Sequence, residues 1–338
     1  GSRLDSARQR ADILPMALDQ HTEPGPSHGV QIPFPPMVNE RDTREERLAR
    51  IKASPSYRQA HLDPDFVSRE RLRPLRLQLE LMKPELIQQD LGVDSTIVVF
   101  GGTRIIEKEA AEAKVAAAEE RLKRNPDDPE AERDMRIARN VLKKAGYYDE
   151  ARRFGRIVSG QCQVDEKCDY VIVTGGGPGI MEAANLGAWI ANADDEFLDR
   201  ALGRLADARV YSDPGFNAAA AEVRDWHPDG ESSLAVPTWF YGHEPSNQFS
   251  KHIAKYFSNG LREEGLLAIA RYGVIYAPGS AGTTQEIFMD AAQNHYGTFE
   301  YVSPMVFLGE GRYGASTGLY DTLVRLAEGR QYASSLRL

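Results

Sequence analysis

The sequence has little cysteine and no cluster of residues with the spacing of a metal site. Only two of its 338 residues are cysteine, Cys162 and Cys168, and no His, Cys or Asp group near them has a metal-ligand spacing. We interpret both as ordinary reduced thiols. Such sparse use of cysteine is typical of a reducing compartment, so we expect a cytoplasmic protein.

The sequence also has no long apolar run and no excess of positive charge. No run approaches 18 apolar residues, so no transmembrane helix is predicted. The formal net charge is -9, whereas proteins that bind nucleic acid usually carry a basic face. We therefore expect neither a membrane nor a nucleic acid as partner. The composition, 41% hydrophobic and 27% charged, is that of a globular protein.

The first 92 residues differ in composition from the rest. Residues 1–40 are polar, and the five prolines between 24 and 36 disfavour regular structure, which predicts an extended arm. Residues 41–92 are rich in charge and have a helical pattern, which predicts short helices flanking the core. We therefore divide the chain into an N-terminal segment, 1–92, and a main domain, 93–330.

Short apolar runs that end at glycine recur along the main domain. Each predicts a buried parallel strand, and each is followed by a segment with helical character. The runs are 95–100, 170–174, 273–277 and 305–308, with 232–237 as a further strand candidate. This alternation predicts an α/β fold, a Rossmann-like doubly wound parallel sheet flanked by helices.

Two stretches interrupt the alternation. Residues 107–146 are rich in Ala, Glu, Lys and Arg, and Asp128 followed by Pro129 is a typical helix start. We predict an inserted helical hairpin there. For residues 192–231 we expect one helix and an irregular excursion.

The glycine turns after the strands predict a phosphate site. Ligands of open parallel sheets bind beyond the carboxyl ends of the strands, and a helix N-terminus favours an anion. The dinucleotide fingerprint fails, because Ile180 and Glu182 stand where its third glycine would be. A phosphate loop of the Gly-Lys-Ser/Thr type is also absent from the sequence. A mononucleotide or a sugar phosphate is the better fit.

The loop 278–284 is the most informative turn. Backbone N–H groups and hydroxyls suited to one phosphate come from Gly279, Ser280, Gly282, Thr283 and Thr284. Glu286 follows, on what we expect to be the first turn of the next helix. Spacing alone leaves two interpretations open: residues 283–286 form a capping box, or Glu286 is catalytic.

Two motifs resemble one family. The segments 175–185 and 278–286 are similar to the GGGxxGxM turn and the PGGxGTxxE loop of the LONELY GUY family, long misannotated as lysine decarboxylases, and 100–104 resembles its first strand turn. The resemblance covers roughly 94–104 and 147–325. Ser280 departs from the family pattern, where most members have glycine. The stretch 239–245 is most similar to the longer bacterial nucleotide nucleosidase branch.

The resemblance implies an activity and two catalytic residues. The family hydrolyses the N-glycosidic bond of nucleoside 5′-monophosphates, such as AMP, cytokinin riboside monophosphates or other purine and pyrimidine nucleotides, to free base and ribose 5-phosphate. Its members are homodimers or larger and need no metal or cofactor. They use an arginine and the motif glutamate, here Glu286. A carboxylate beside an oxocarbenium-like centre stabilises its charge or orients the attacking water.

The corresponding arginine is expected on the helix that precedes the loop strand. We predict this helix over 246–264, because apolar residues recur every four positions there. That buried stripe consists of Phe249, Ile253, Phe257 and Leu261. Arg262 is the catalytic candidate, with Asn259 and Glu263 within a turn of it. The alternative is a surface arginine near the C-terminal end of the helix.

The other two turns supply further candidate contacts to the nucleotide. Backbone approach is expected at Gly101, Gly102, Gly176, Gly177 and Gly179. Arg104 either reaches the phosphate or caps the edge of the sheet. Met181 and Glu182 are expected to face the base, with core packing as the alternative for Met181.

Two rival functions differ in class from the hydrolase. One is a non-catalytic nucleotide-binding or sensing protein of the same fold, although such a protein has no need of Glu286. The other is amino-acid decarboxylation, which needs pyridoxal phosphate on a lysine. The three glycine turns contain no lysine.

Overall fold

The computed structural model describes residues 41–93, 95–162, 170–207, 215–238 and 247–338, except for the side chains of Cys162 and Asp207. The expected arm over 1–40, Cys168 and the 239–245 stretch lie outside the described residues. The described chain divides into two compact units, of which the first ends at Arg73 and the second extends from Pro74 to Leu338. In the first, Thr43 and Glu46 form a capping box at the start of helix α1 (Arg44–Ala53), and a short α2 (Pro64–Val67) follows.

A parallel sheet of seven strands organises the second unit. In chain order the strands are β1 (Thr96–Phe100), β2 (Val171–Thr174), β3 (Ser233–Ala235), β4 (His252–Ile253), β5 (Val274–Tyr276), β6 (Met305–Phe307) and β7 (Leu336–Arg337). Their order across the sheet is β4-β3-β2-β1-β5-β6-β7, and all neighbours are parallel. The predicted Rossmann-like α/β fold is confirmed. The five predicted strands are present, whereas β4 and β7, each of two residues, were not predicted.

Helices flank this sheet. The helices that follow α2 in the described part of the chain are α3 (Arg73–Asp90), α4 (Lys108–Arg124), α5 (Pro129–Leu142), α6 (Gly146–Cys162), α7 (Ile180–Trp189), α8 (Asp195–Asp207), α9 (Phe216–Asp225), α10 (Asn259–Ile269), α11 (Ala281–Tyr296) and α12 (Leu319–Ala327). Of these, α6, α7 and α10 pack directly on the strands. Val98 and Phe100 of β1 join one apolar cluster, and Val99 joins another. Alternate side chains of a strand point to opposite faces, so burial on both faces explains the continuous apolar run.

The predicted helical hairpin is confirmed as α4 and α5. The Asp128 side chain accepts a hydrogen bond from the N–H of Glu130 at 2.9 Å, and Pro129 is the first helical residue. The stretch 192–231 holds two helices, α8 and α9, where one was expected. None of the helices in the described part of the chain is long and apolar enough to cross a membrane.

The helix predicted over 246–264 is wrong in its first half. His252 and Ile253 form the edge strand β4, paired with β3, and the helix begins only at Asn259. The proposed apolar stripe does not exist, because Ile253 is 55% exposed and Phe257 is 70% exposed. Pairing with the free edge of β3 fixes this segment as extended chain, and a four-residue spacing could not reveal that partner.

Candidate functional site

Three glycine turns meet at the carboxyl ends of the central strands. The sheet order makes the gap between β1 and β5 the topological switch point, where ligands of such sheets bind. The N–H of Gly102, after β1, donates to the Pro278 carbonyl, after β5, at 3.0 Å. The N–H of Ile180, at the end of the 175–179 turn, donates to the Gly102 carbonyl at 3.4 Å.

Close approach of backbones explains the glycines at this junction. Gly179 has a φ of +75°, and a Cβ there would lie 2.5 Å from the carbonyl oxygen of Gly102. A side chain at Gly101 would meet Ile180, the first residue of α7, at 2.5 Å. The N–H of Gly176 donates to the Thr174 hydroxyl at 3.1 Å. These glycines therefore allow the three turns to pack closely at the switch point.

The loop after β5 has its carbonyl oxygens occupied. Four consecutive carbonyls accept hydrogen bonds: Ala277 from the Tyr313 hydroxyl (2.7 Å), Pro278 from the Gly102 N–H (3.0 Å), Gly279 from Arg312 Nη2 (3.0 Å), and Ser280 from the N–H and the hydroxyl of Thr284 (3.1 Å each). A carbonyl oxygen that faced an anion would repel it. The four carbonyl oxygens of 277–280 are therefore bonded within the protein and are not available to repel a bound anion.

Five consecutive N–H groups of the same loop point away from these acceptors. Within the described part of the chain, no acceptor is found for the N–H groups of residues 279–283. They open α11, whose N-terminus carries partial positive charge, and Ser280 and Gly282 are exposed. Thr283 is buried with its side chain against Gly279. Chemically, the loop is a row of donors suited to a phosphate.

The structure rules out one of the two interpretations of Glu286, the capping box. The helix α11 begins at Ala281 with Ser280 as the N-cap residue, so residues 283–286 do not form a capping box. The capping interpretation is wrong, and Glu286 lies on the second turn rather than the first. Glu286 is only 6% exposed. A buried carboxyl group one turn beyond the loop needs another explanation.

Charge and burial act on Glu286 together. Burial raises the pKa of Glu286 to about 7, the Arg262 guanidinium opposes this shift, and the Glu263 carboxylate adds to it. Arg262 itself forms its ion pair with Glu263, at 3.7 Å. The two residues that the family resemblance singled out are thus within electrostatic range of each other.

Arg262 lies in the first turn of α10 and not near its C-terminal end. Its side chain is 12% exposed, so the interpretation as a surface arginine that favours the helix dipole is wrong. The guanidinium covers Gly175 of the second turn, where an added Cβ would collide with Nη1. Its Nε atom is buried and finds no hydrogen-bond partner in the described part of the chain.

A polar network holds Arg262 in place. Arg262 Nη2 donates to Asn259 Oδ1 at 2.7 Å, and Asn259 Nδ2 donates to Glu263 Oε1 at 2.6 Å. Gln285 Nε2, from α11, donates to the other Glu263 oxygen at 2.6 Å. Glu263 is 2% exposed and thus links the two helices that carry Arg262 and Glu286. Sequence reasoning missed Gln285, although it stands next to the motif glutamate.

The remaining predicted residues are less closely grouped. Arg104 is exposed on the first turn. The Met181 thioether packs against Gly175 and Gly177. Glu182 is buried and accepts a hydrogen bond from the Tyr148 hydroxyl at 3.1 Å, so its carboxyl group lies against α6.

The environment of Glu182 is polar but separate from that of Glu286. Burial raises the pKa of Glu182 to about 7, the Tyr148 hydrogen bond lowers it, and the charge of Glu107 raises it. Contact of Glu182 with a base stays a prediction. Among the described residues, no group of three or more His, Cys, Asp or Glu side chains is placed to hold a metal ion.

Fold and site define the class of protein. The chain is a Rossmann-like α/β protein with a loop of N–H donors, a largely buried arginine and a buried glutamate near its switch point. No protein-family model matches the chain, and no curated protein matches it.

Proposed function

We propose that the protein is a nucleotide N-ribohydrolase that cleaves nucleoside 5′-monophosphates to free base and ribose 5-phosphate. The observation that carries the proposal is a loop with occupied carbonyls that opens the helix of the buried Glu286, a helix that Gln285 and Glu263 link to the helix of Arg262. The resemblance of 175–185 and 278–286 to the LONELY GUY family supports it.

Each group has a role in this reaction. The 278–284 loop binds the 5′-phosphate and thereby fixes the ribose over the crevice. The Glu286 carboxylate stabilises the positive charge that develops at C1′ and orients the attacking water. The water oxygen bonds to C1′, the C1′–N bond breaks, and the base leaves with a proton. Arg262 counters the negative charge around Glu286 and offers donors to the substrate.

A direct assay tests the proposal. The protein is incubated with AMP, GMP, IMP and CMP, and free base and ribose 5-phosphate are measured. We expect both products in equal amounts from at least one nucleotide. Binding without release from any of them, at high enzyme concentration, would favour a non-catalytic nucleotide-binding protein instead.

Assembly and location belong to the same proposal. We expect a homodimer or a higher homo-oligomer that acts in the cytoplasm, without nucleic acid, metal or cofactor. Light scattering on the purified chain tests the oligomeric state, and a monomer at micromolar concentration would contradict it.

A further inference from the structure

Arg312 is a positively charged residue beside the 278–284 loop, and no sequence motif pointed to it. It lies in a single π-helical turn, Gly311–Ser316, that follows β6, and it is half-buried. Its Nη2 donates to the carbonyl of Gly279 at 3.0 Å, and the hydroxyl of its neighbour Tyr313 donates to the carbonyl of Ala277 at 2.7 Å. Two consecutive side chains thus hold the loop backbone from outside.

The bond to Gly279 fixes the direction of a peptide group. In a trans peptide the C=O and the following N–H point in opposite directions. Because Arg312 holds the Gly279 oxygen, the N–H of Ser280 points away from Arg312. Without this bond the peptide is free to rotate and to turn its carbonyl oxygen into the row of donors.

The loop itself brings no formal charge. None of the residues 278–284 is Lys or Arg, yet a phosphate monoester carries nearly two negative charges at neutral pH. The charges of Arg312 and Glu286 both act on the buried Tyr313, since burial raises the pKa of Tyr313, Arg312 lowers it and Glu286 raises it. Arg312 therefore stands beside the loop and within electrostatic range of the site.

We propose that Arg312 is the positioning residue of the phosphate loop: it orients the Gly279–Ser280 peptide and supplies the positive charge that selects phosphorylated over unphosphorylated ligands. This inference rests on the proposed function, because it assigns the 278–284 loop to the 5′-phosphate. It goes beyond that function in making discrimination between nucleotide and nucleoside depend on a residue outside the loop.

Calorimetric titration of the full chain with ribose 5-phosphate, inorganic phosphate and ribose tests this role. For Arg312→Gln we expect roughly 10- to 100-fold weaker binding of both phosphates, the range of a charge-assisted hydrogen bond. Arg312→Lys keeps the charge and should recover part of this loss. Arg325→Gln, on the exposed face of α12, removes one charge elsewhere and should bind as the parent protein does. Unchanged phosphate binding by Arg312→Gln would overturn the role.

A second measurement uses the unsubstituted protein, in case Arg312→Gln does not fold. Phenylglyoxal modifies accessible guanidinium groups, and mass spectrometry locates the product. We expect ribose 5-phosphate to slow modification of Arg312, because a bound phosphate fixes the peptide to which Arg312 donates, and to leave Arg325 unaffected; equal rates would overturn the inference. Neither readout needs turnover, so a protein whose binding of ribose 5-phosphate depends on Arg312 but which cleaves no nucleotide refutes the proposed hydrolase alone. A protein that cleaves nucleotides but whose phosphate binding does not depend on Arg312 refutes this inference alone.

Discussion

The guanidinium of Arg262 occupies the place where a side chain on Gly175 would lie. This contact joins the first turn of α10 to the turn after β2, two segments that are far apart in the chain. It explains why the first residue of the 175–179 turn is glycine although its φ is not in the left-handed region. Glycine is needed at position 175 because the Arg262 guanidinium fills the space that a side chain would take.

We therefore predict that Gly175→Ala displaces Arg262 and impairs catalysis more than folding. The expected result is a fall in kcat/KM of roughly 100-fold, because misplacing a catalytic group by about an ångström has effects of that size. Gly203→Ala in α8 is the matched control, since nothing lies within 4 Å of its added methyl group. Steady-state kinetics and thermal melting of both variants check the prediction, and full activity of Gly175→Ala would contradict it.

A second prediction separates catalysis from binding at Glu286. Glu286→Gln keeps the shape of the side chain but removes the charge that would face C1′. We expect kcat to fall by roughly 100- to 10,000-fold, while ribose 5-phosphate binds within about threefold of its original affinity, because the loop N–H groups are untouched. Glu264→Gln, an exposed neighbour of the network on α10, is the control. Loss of ribose 5-phosphate binding together with folding would indicate a structural role for Glu286.

The raised pKa of Glu286 predicts an acidic limb in the activity profile. Burial raises this pKa to about 7, and the proposed mechanism needs the carboxylate. We expect kcat/KM to rise with pH up to about 7 and to be roughly tenfold lower at pH 6 than on the plateau. The ratio kcat/KM reports the ionisation of the free enzyme, to which this pKa belongs. A flat profile between pH 5.5 and 8 would contradict the assignment.

Stability gives an independent check of the same group. A carboxyl group whose folded pKa lies above its unfolded value binds more protons in the native state between about 4.5 and 7. Its contribution to the free energy of unfolding therefore falls as pH rises through that window. Denaturant titrations should show a smaller fall with pH for Glu286→Gln than for the parent protein.

The sheet could be predicted from the sequence because its strands carry their own signal. The runs at 95–100 and 170–174 are apolar without interruption over 97–100 and 171–173, and glycine marks where each ends. The strands β4 and β7 lack that signal, since each has two residues and one of them is exposed. Their position depends on a partner edge, which local patterns do not encode.

The candidate site could be predicted only in outline. The family resemblance pointed to Arg262 and Glu286, yet the predicted start of the helix that carries Arg262 was more than ten residues too early. Gln285 and Arg312 act through contacts between elements that are distant in the chain. Their side chains are polar and isolated in the sequence, so nothing distinguishes them from solvent-exposed residues until the fold is known.

Such a long-range contact also fixes the start of α10. Glu80 of α3 accepts hydrogen bonds through Oε1 from the N–H of Phe257, at 2.6 Å, and from the N–H of Ser258. Ser258 is the N-cap residue of α10 but forms no side-chain capping bond. The Glu80 carboxylate therefore caps α10 in place of the Ser258 side chain. The capped position, Ser258, lies four residues before Arg262.

We predict that Glu80→Ala lowers activity by moving the first turn of α10. The two N–H groups lose a charged acceptor, and the turn that holds Asn259 and Arg262 becomes less well fixed. We expect kcat to fall by roughly tenfold, comparable to the loss of one charge-assisted hydrogen bond, with ribose 5-phosphate affinity unchanged because the phosphate loop lies on α11. Glu85→Ala, an exposed residue of the same helix, is the control. If Glu80→Ala weakened phosphate binding and left kcat intact, Glu80 would act on the loop and not on Arg262.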